Sequence, residues 1–178
     1  MTDKNNLILT AVGLDQVGLV EKISEFIHRH GCNIEDSKMA VFCGEFAVII
    51  LITGAEAALQ RVAGSIRELE TETGLTFSSK TPAERRAAES MLPYNLTASC
   101  MDHPGIVHKL SRELSRFGIN IESMETKTYA APVSGTPIFS LEASISVPAK
   151  TNVNQLRERF AEFQREENVD IDFSPARR

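Results

Sequence analysis

The sequence predicts an α+β protein built from two tandem ferredoxin-like βαββαβ domains with antiparallel sheets. Two observations lead to this prediction: an internal repeat, and the same order of strand-like and helix-like periods in each copy. Residues 9–35 align without a gap with residues 96–122, at a constant offset of 87, and thirteen positions are identical. An internal match of this length indicates two copies of one structural unit.

The length of 178 residues leaves room for two small domains. We place domain 1 at residues 1–80, a linker at 81–93 and domain 2 at 94–178. The linker begins with Thr81-Pro82-Ala83-Glu84, a helix-start pattern, so it is predicted to contain a short helix and to end at Pro93. Because domains of this size leave apolar surface uncovered, we expect a homo-oligomer or close packing of the copies.

In the first copy, the patterns predict strands at 6–12, 32–42, 46–52 and 75–79, a loop at 13–18 and a tight turn at 43–45. The run 46–52 is almost wholly apolar, which is typical of a central strand covered on both faces. One helix carries the apolar stripe Val20, Ile23, Ile27 and His30 and ends at Gly31. A second helix begins with the capping-box pattern of residues 53–56 and ends near Gly74, and its stripe is Leu59, Val62, Ile66 and Leu69.

The second copy repeats this order, with middle strands at 119–130 and 138–147 and a last strand at 169–173. Its helix stripes are Val107, Leu110, Leu114 and Phe117, then Val153, Leu156, Phe160 and Phe163. The connection between the middle strands is longer than in the first copy and rich in Pro and Gly. Each unit is therefore strand, helix, strand, strand, helix, strand, the split βαβ arrangement.

Composition argues against several classes of function. The net charge of −5, with basic pairs only at Arg85-Arg86 and Arg177-Arg178, disfavours direct nucleic-acid binding. No apolar run could span a membrane and no secretory signal is visible, so a cytoplasmic protein is expected. The cysteines Cys32, Cys43 and Cys100 have no metal-site spacing and are expected to be buried as small apolar groups. With no catalytic motif either, we expect neither an enzyme nor a metal or cofactor.

The repeated strand-to-helix loop is the candidate site. It reads Asp15-Gln16-Val17-Gly18 in the first copy and Asp102-His103-Pro104-Gly105 in the second. Asp15 and Asp102 are predicted to cap the helices. The remaining free N–H groups, beside a glycine that lets a ligand approach, would suit a carboxylate. Asn33-Ile34 and Asn120-Ile121 would lie beside the loop if the next strand returned next to the first, although Asn after a helix-ending Gly is equally typical of a turn.

The order strand, D-x-x-G, helix, G-x-N-I, strand, hairpin, helix, strand resembles the ACT domain, a ligand-sensing module of amino-acid metabolism. A chain with two such domains and nothing else is similar to the glycine cleavage system transcriptional repressor family. The resemblance implies a non-catalytic regulator that senses an amino acid, with glycine as the expected effector, and represses by binding a partner transcription regulator. It also implies these ligand-binding residues: Asp15, Gln16, Val17, Gly18, Asn33, Ile34, Asp102, His103, Pro104, Gly105, Asn120 and Ile121.

Three functions stay open at this point. The first is the amino-acid-sensing repressor, with two loops that need not bind alike because Gln16-Val17 is replaced by His103-Pro104. The second is a free-standing regulatory subunit of an amino-acid biosynthetic enzyme, with the same site and a different partner. The third is a nucleic-acid-binding module, which the absence of aromatic residues from the first strand of each copy disfavours.

Overall fold

The computed structural model describes residues 5–83 and 90–176. The chain divides into two compact units, Met1–Glu84 and Arg85–Arg178. Residues 84–89, which hold most of the predicted linker helix, and both arginine pairs lie outside the described residues. Among the helices that the structure describes, none is both long and apolar enough to cross a bilayer.

The first unit is a four-stranded antiparallel sheet with its helices on one face. Its strand order is β2-β3-β1-β4. In chain order the elements are β1 (Asn5–Leu14), α1 (Leu19–Arg29), β2 (Asn33–Phe42), β3 (Glu45–Gly54), α2 (Glu56–Gly64), α3 (Ile66–Thr73) and β4 (Thr76–Lys80).

The second unit repeats the architecture, with strand order β6-β7-β5-β8. Its elements are β5 (Met91–Met101), α4 (Ile106–Arg116), β6 (Asn120–Ala130), β7 (Pro137–Pro148), α5 (Val153–Glu167) and β8 (Asp170–Pro175). Two ferredoxin-like α+β domains are thereby confirmed. Pro93, predicted to end the linker, instead lies within β5 opposite Ser146, so the strand begins earlier than expected.

The first helix of each unit buries the two middle residues of the predicted stripe, Ile23 and Ile27 or Leu110 and Leu114, but not its end residues. In α1 the buried side chains are Leu19, Ile23, Phe26 and Ile27, whereas Val20 is 55% exposed. A period of 3.6 fits either stripe, and burial of the large Phe26 ring favours the observed one. At the position equivalent to Phe26, 87 residues on, α4 buries a carboxylate, Glu113.

The second helix of the first unit departs from prediction at its start and its middle. The residue before the helix is Ala55 and no side chain caps it, while Thr53 is buried in β3, so the predicted capping box is wrong. Ser65 divides the helix into α2 and α3. The predicted end is confirmed, because Gly74 closes α3 in the left-handed conformation with φ 73°.

The hairpin between β2 and β3 turns on two residues. Phe42 pairs with Glu45, so the turn is Cys43-Gly44 and is one residue shorter than predicted. Both residues have positive φ, 52° and 83°, as a type I′ turn requires. Cys43 is therefore exposed at the tip, contrary to expectation, whereas Cys32 and Cys100 are buried as predicted.

The sheet of the first unit is covered on one face by its own helices. Alternate residues of β3, such as Phe46, Ile50 and Ile52, belong to the core. Ile49, between them, points to the other face and is 47% exposed. The prediction that β3 is a central strand is confirmed, since it pairs with β1 and β2. The prediction that both its faces are covered is wrong within the unit.

Candidate ligand-binding site

The repeated loops connect β1 to α1 and β5 to α4. Both loops end in a glycine with the same left-handed backbone conformation. Gly18 precedes α1 with φ 92° and Gly105 precedes α4 with φ 93°, values that favour glycine because a side chain would be strained there. The two glycines are therefore conserved between the copies for a backbone reason. The first intrahelical bonds, from Lys22 N to Gly18 O and from Lys109 N to Gly105 O, are both 3.0 Å long.

The prediction that Asp15 and Asp102 cap these helices is wrong. Gly18 and Gly105 occupy the capping positions, and neither helix has a side-chain cap. Each aspartate lies three residues before its capping glycine, and no side-chain hydrogen bond caps either helix. The first-turn N–H groups of both helices are therefore left for water or a ligand.

Backbone hydrogen bonds tie the start of each loop to the hairpin side of the sheet. Asp15 N donates to Gly44 O at 2.8 Å, and Asp102 N donates to Pro137 O at 2.9 Å. Each loop is thus anchored beside the connection between the two middle strands of its unit. A ligand held by the loop would lie next to that connection.

In the first unit, a cleft of about 520 Å³ lies against the start of α1. It brings together three of the predicted residues, Asp15, Gln16 and Gly18. Val17 is fully exposed beside them. The other lining residues were not predicted, and they are Leu19, Val20, Glu21, Ser24, Met39 and Phe46. The sequence carried a signal for Met39 and Phe46, because both lie close to the turn between β2 and β3, at the end of the sheet where the loop is anchored.

The cleft combines groups that suit an α-amino acid. The N-terminal end of α1 offers amide donors and a partial positive charge to a carboxylate. Asp15 and Glu21 offer carboxylates to an ammonium group, and Gln16 offers both a donor and an acceptor. Met39, which is 52% exposed, and the buried ring of Phe46 form the apolar side.

In the second unit, the loop carries a ring and a fixed proline instead. His103 is half-buried, and its Nδ1 lies 3.4 Å from the Pro104 carbonyl oxygen. A separate cleft of about 470 Å³ lies at the end of β5 next to the turn between α5 and β8, with Cys100, Arg165 and Asn168 in its wall. Burial and the charge of Asp102 raise the pKa of the Cys100 thiol, so it is protonated at neutral pH and is a poor nucleophile.

Asn33-Ile34 and Asn120-Ile121 do not lie beside the loops of their own units. Asn33 pairs with Thr53, whereas the loop follows Leu14, whose partner is Glu45, eight residues away along β3. At ~3.3 Å per residue this is about 26 Å. Asn120 occupies the equivalent place, opposite Ser146. The prediction assumed that β2 returns next to β1, but β3 lies between them, and α1 carries the chain back to the opposite end of the sheet.

Comparisons with known proteins agree with this architecture. An ACT-domain family model matches residues 5–80, and a second ACT-domain model matches residues 103–174. The glycine cleavage system transcriptional repressor of Escherichia coli K12 is 22% identical over 160 residues, which are 90% of this chain and 84% of the repressor. Phosphoserine phosphatase SerB2 of Mycobacterium tuberculosis is 23% identical over 180 residues, which are 96% of this chain and 41% of that enzyme.

A crystal structure of an unknown protein from Galdieria sulphuraria shares the fold along the chain. It superposes with a TM-score of 0.81 at 24% identity and covers 98% of this chain and 100% of that one. The tandem order, the two sheets and both family matches lead to one conclusion: the chain belongs to the ACT-domain family and carries two ACT domains in tandem.

Proposed function

We propose that this protein is a non-catalytic cytoplasmic regulator that senses a small amino acid, with glycine as its effector, and represses transcription by binding a partner transcription factor. Its similarity to the glycine cleavage system transcriptional repressor over most of both chains supports the repressor role. Its similarity to phosphoserine phosphatase covers less than half of that enzyme, so it gives little support to catalysis.

The observation that carries the sensing proposal is the cleft at the start of α1. It places an uncapped helix N-terminus, a left-handed glycine and two carboxylates around one opening. The carboxylate of an amino acid would accept bonds from the first-turn amides of α1, beyond Gly18. Its ammonium group would be held by Asp15 or Glu21. A ligand bound there would also stabilise the contact between Asp15 N and Gly44 O, and so the hairpin of β2 and β3.

Isothermal titration calorimetry with glycine, then with serine and alanine, tests the site. We expect glycine to bind the wild-type protein and to lose at least tenfold in affinity in Gly18→Ala, because the added methyl group strains the loop at φ 92°. Gly105→Ala makes the same change in the second loop and shows whether that loop also binds. Gly64→Ala is the matched control, since it has no positive φ and its new methyl group meets nothing within 4 Å.

Two results would contradict the sensing proposal. One is the absence of binding by any small amino acid to the folded wild-type protein. The other is an equal loss in Gly18→Ala and Gly64→Ala, which would mean that the loop has no special part in binding. Circular dichroism of each variant establishes that it is folded.

The partner is tested by affinity capture with and without glycine, followed by mass spectrometry. Recovery of a DNA-bound transcription regulator in amounts that change with glycine supports the repressor proposal. Recovery of an amino-acid biosynthetic enzyme would instead support a detached regulatory subunit. A coupling of ~1 to 3 kcal/mol between effector and partner corresponds to roughly a five- to 150-fold change in affinity, which the capture would detect.

A further inference from the structure

The open faces of the two sheets differ in character although the units repeat. In the first unit, the outward side chains of β1 and β3 are apolar at five positions, Ile8, Val12, Ala47, Ile49 and Leu51. The strand registers give the equivalent positions of the second unit as Asn95, Ser99, Ser140, Glu142 and Ser144. We call the first surface the apolar face and the second the polar face.

The apolar face is an unusual surface to leave in water. Val12 is 55% exposed and Ile49 is 47% exposed, and Phe42 adds a ring that is 71% exposed at the hairpin end. Contiguous exposed apolar side chains on a sheet mark an interaction site. The polar face is a poorer match for this surface, because burial against it would take Asn95, three serines and the Glu142 carboxylate out of water.

Charged side chains at the edges of the apolar face are arranged so that the face complements itself. One row across the sheet reads Asp36 on β2, Leu51 on β3, Ile8 on β1 and Lys80 on β4. In this row the acid is at one edge and the base is at the other. Lys38, the next outward residue of β2, lies opposite Ile49 in the adjacent row, which ends at the uncharged Ser78 on β4. A two-fold axis parallel to the strands would lay β2 of one copy over β4 of another, so that Asp36 meets Lys80 twice.

We propose that the apolar face binds the same face of a second copy of this chain, forming a symmetric sheet-on-sheet dimer through the first unit. Face-to-face sheets pack with their strands nearly aligned, which is the geometry that this pairing of edges needs. The proposal is independent of the amino-acid site, because the cleft at α1 lies on the helix-covered side of the sheet.

The size of the face is sufficient for a weak dimer. Strands β1, β2 and β3 have ten residues each and β4 has five. At ~4.8 Å between strands and ~3.3 Å per residue, the planar area is roughly 550 Å² per copy. The pair would bury about 1,100 Å², just above the roughly 1,000 Å² that distinguishes specific interfaces from incidental contacts.

Sedimentation equilibrium of the full chain between about 1 and 200 µM tests the proposal. We expect a reversible dimer in the wild-type protein. Ile49→Glu introduces the residue found at the equivalent position of the polar face, Glu142. The symmetric interface would then contain two new carboxylates, so the dissociation constant should rise about a hundredfold, roughly tenfold for each copy. Ser140→Glu on the polar face is the matched control, with the same change in charge, and it should leave the dimer unchanged.

A charge exchange tests the axis without altering the apolar residues. Asp36→Lys alone and Lys80→Asp alone should each weaken the dimer, because like charges then face each other. The double variant should restore it. This experiment also covers the case in which Ile49→Glu fails to fold.

Three results would overturn the proposal. The first is a wild-type chain that stays monomeric over the whole concentration range. The second is a dimer that Ser140→Glu dissociates as strongly as Ile49→Glu does. The third is a double charge variant weaker than both single variants, which would exclude the axis parallel to the strands.

Discussion

Replacing Arg159 with methionine tests the electrostatics of the second core. Glu113 is only 1% exposed, although it carries a carboxylate, and it lies on the buried stripe of α4 with Leu110 and Leu114. Its Oε2 accepts a hydrogen bond from Arg159 Nε at 2.9 Å, and its Oε1 accepts one from Arg116 Nη1 at 2.8 Å. Arg159 lies on α5, so the pair joins the two helices of the unit.

The magnitude follows from what the substitution leaves behind. Breaking a buried ion pair by removing one partner costs about 3 to 5 kcal/mol, because the remaining charge loses its compensation. Glu113 keeps Arg116, whose side chain is 58% exposed, so we expect the lower end of this range. We therefore expect Arg159→Met to destabilise the second unit by about 3 kcal/mol.

Arg29→Met in the first unit is the matched control. Arg29 pairs with Glu68 at 2.7 Å and with Glu72 at 3.3 Å, but all three side chains are at least 40% exposed. Exposed ion pairs contribute at most about 1 kcal/mol. The same substitution should therefore cost much less in the first unit.

Urea denaturation followed by tyrosine fluorescence measures the second unit alone. The chain has no tryptophan and two tyrosines, and both of them, Tyr94 and Tyr129, lie in the second unit. Tyr94 stacks on Phe173 with ring centroids 4.5 Å apart, so its emission should change on unfolding. With a slope of about 1.5 kcal/mol per molar urea, Arg159→Met should lower the midpoint by roughly 2 M. For Arg29→Met, circular dichroism follows both units, and the part of the transition that the tyrosine signal does not show belongs to the first unit.

The same pair predicts how stability depends on pH. The hydrogen bond from Arg159 lowers the pKa of Glu113 below its ordinary value of 4.5. A carboxyl group with a lowered folded pKa stabilises the fold fully above its unfolded pKa, and that contribution is lost as pH falls through the folded pKa. Acidification below about pH 4.5 should thus destabilise the wild-type protein more than the Glu113→Gln variant.

The Arg159→Met prediction has a clear refutation. If Arg159→Met lowers the free energy of unfolding no more than Arg29→Met does, the reasoning about the buried pair is wrong.

The hairpin tip allows two further predictions. Cys43→Asn should raise stability by about 0.5 to 1 kcal/mol in thermal denaturation, because Cys43 has φ 52° in a turn that favours Asn-Gly, and an unchanged or lower melting temperature would contradict this. Maleimide labelling of the native protein should modify Cys43 first, since Cys32 and Cys100 are buried and burial raises the pKa of both thiols. Peptide mapping that found Cys32 or Cys100 labelled as fast would contradict the second prediction.

Local patterns in the sequence predicted the elements well where each element's own residues decide its structure. The repeat, the strand and helix order and the helix end at Gly74 are confirmed. The sequence predicts a turn at residues 43–45, and the structure has a turn there that is one residue shorter, Cys43-Gly44. Asp15, Gln16 and Gly18 line one cleft, and their part in ligand binding stays a prediction.

The helix starts were predicted wrongly within a few residues, at Asp15, Asp102 and residues 53–56. The other main errors concern contacts between residues far apart in the chain. The sequence by itself determined two copies of one βαββαβ unit, because the spacing of apolar residues within each element is local. Only the tertiary structure decided that β3 separates β1 from β2, which moves Asn33 about 26 Å from the loop. It also decided that Glu113 is buried on Arg159 and that Ile49 faces outward. Strand pairing and burial depend on packing between distant segments, which periodicity within one segment does not specify.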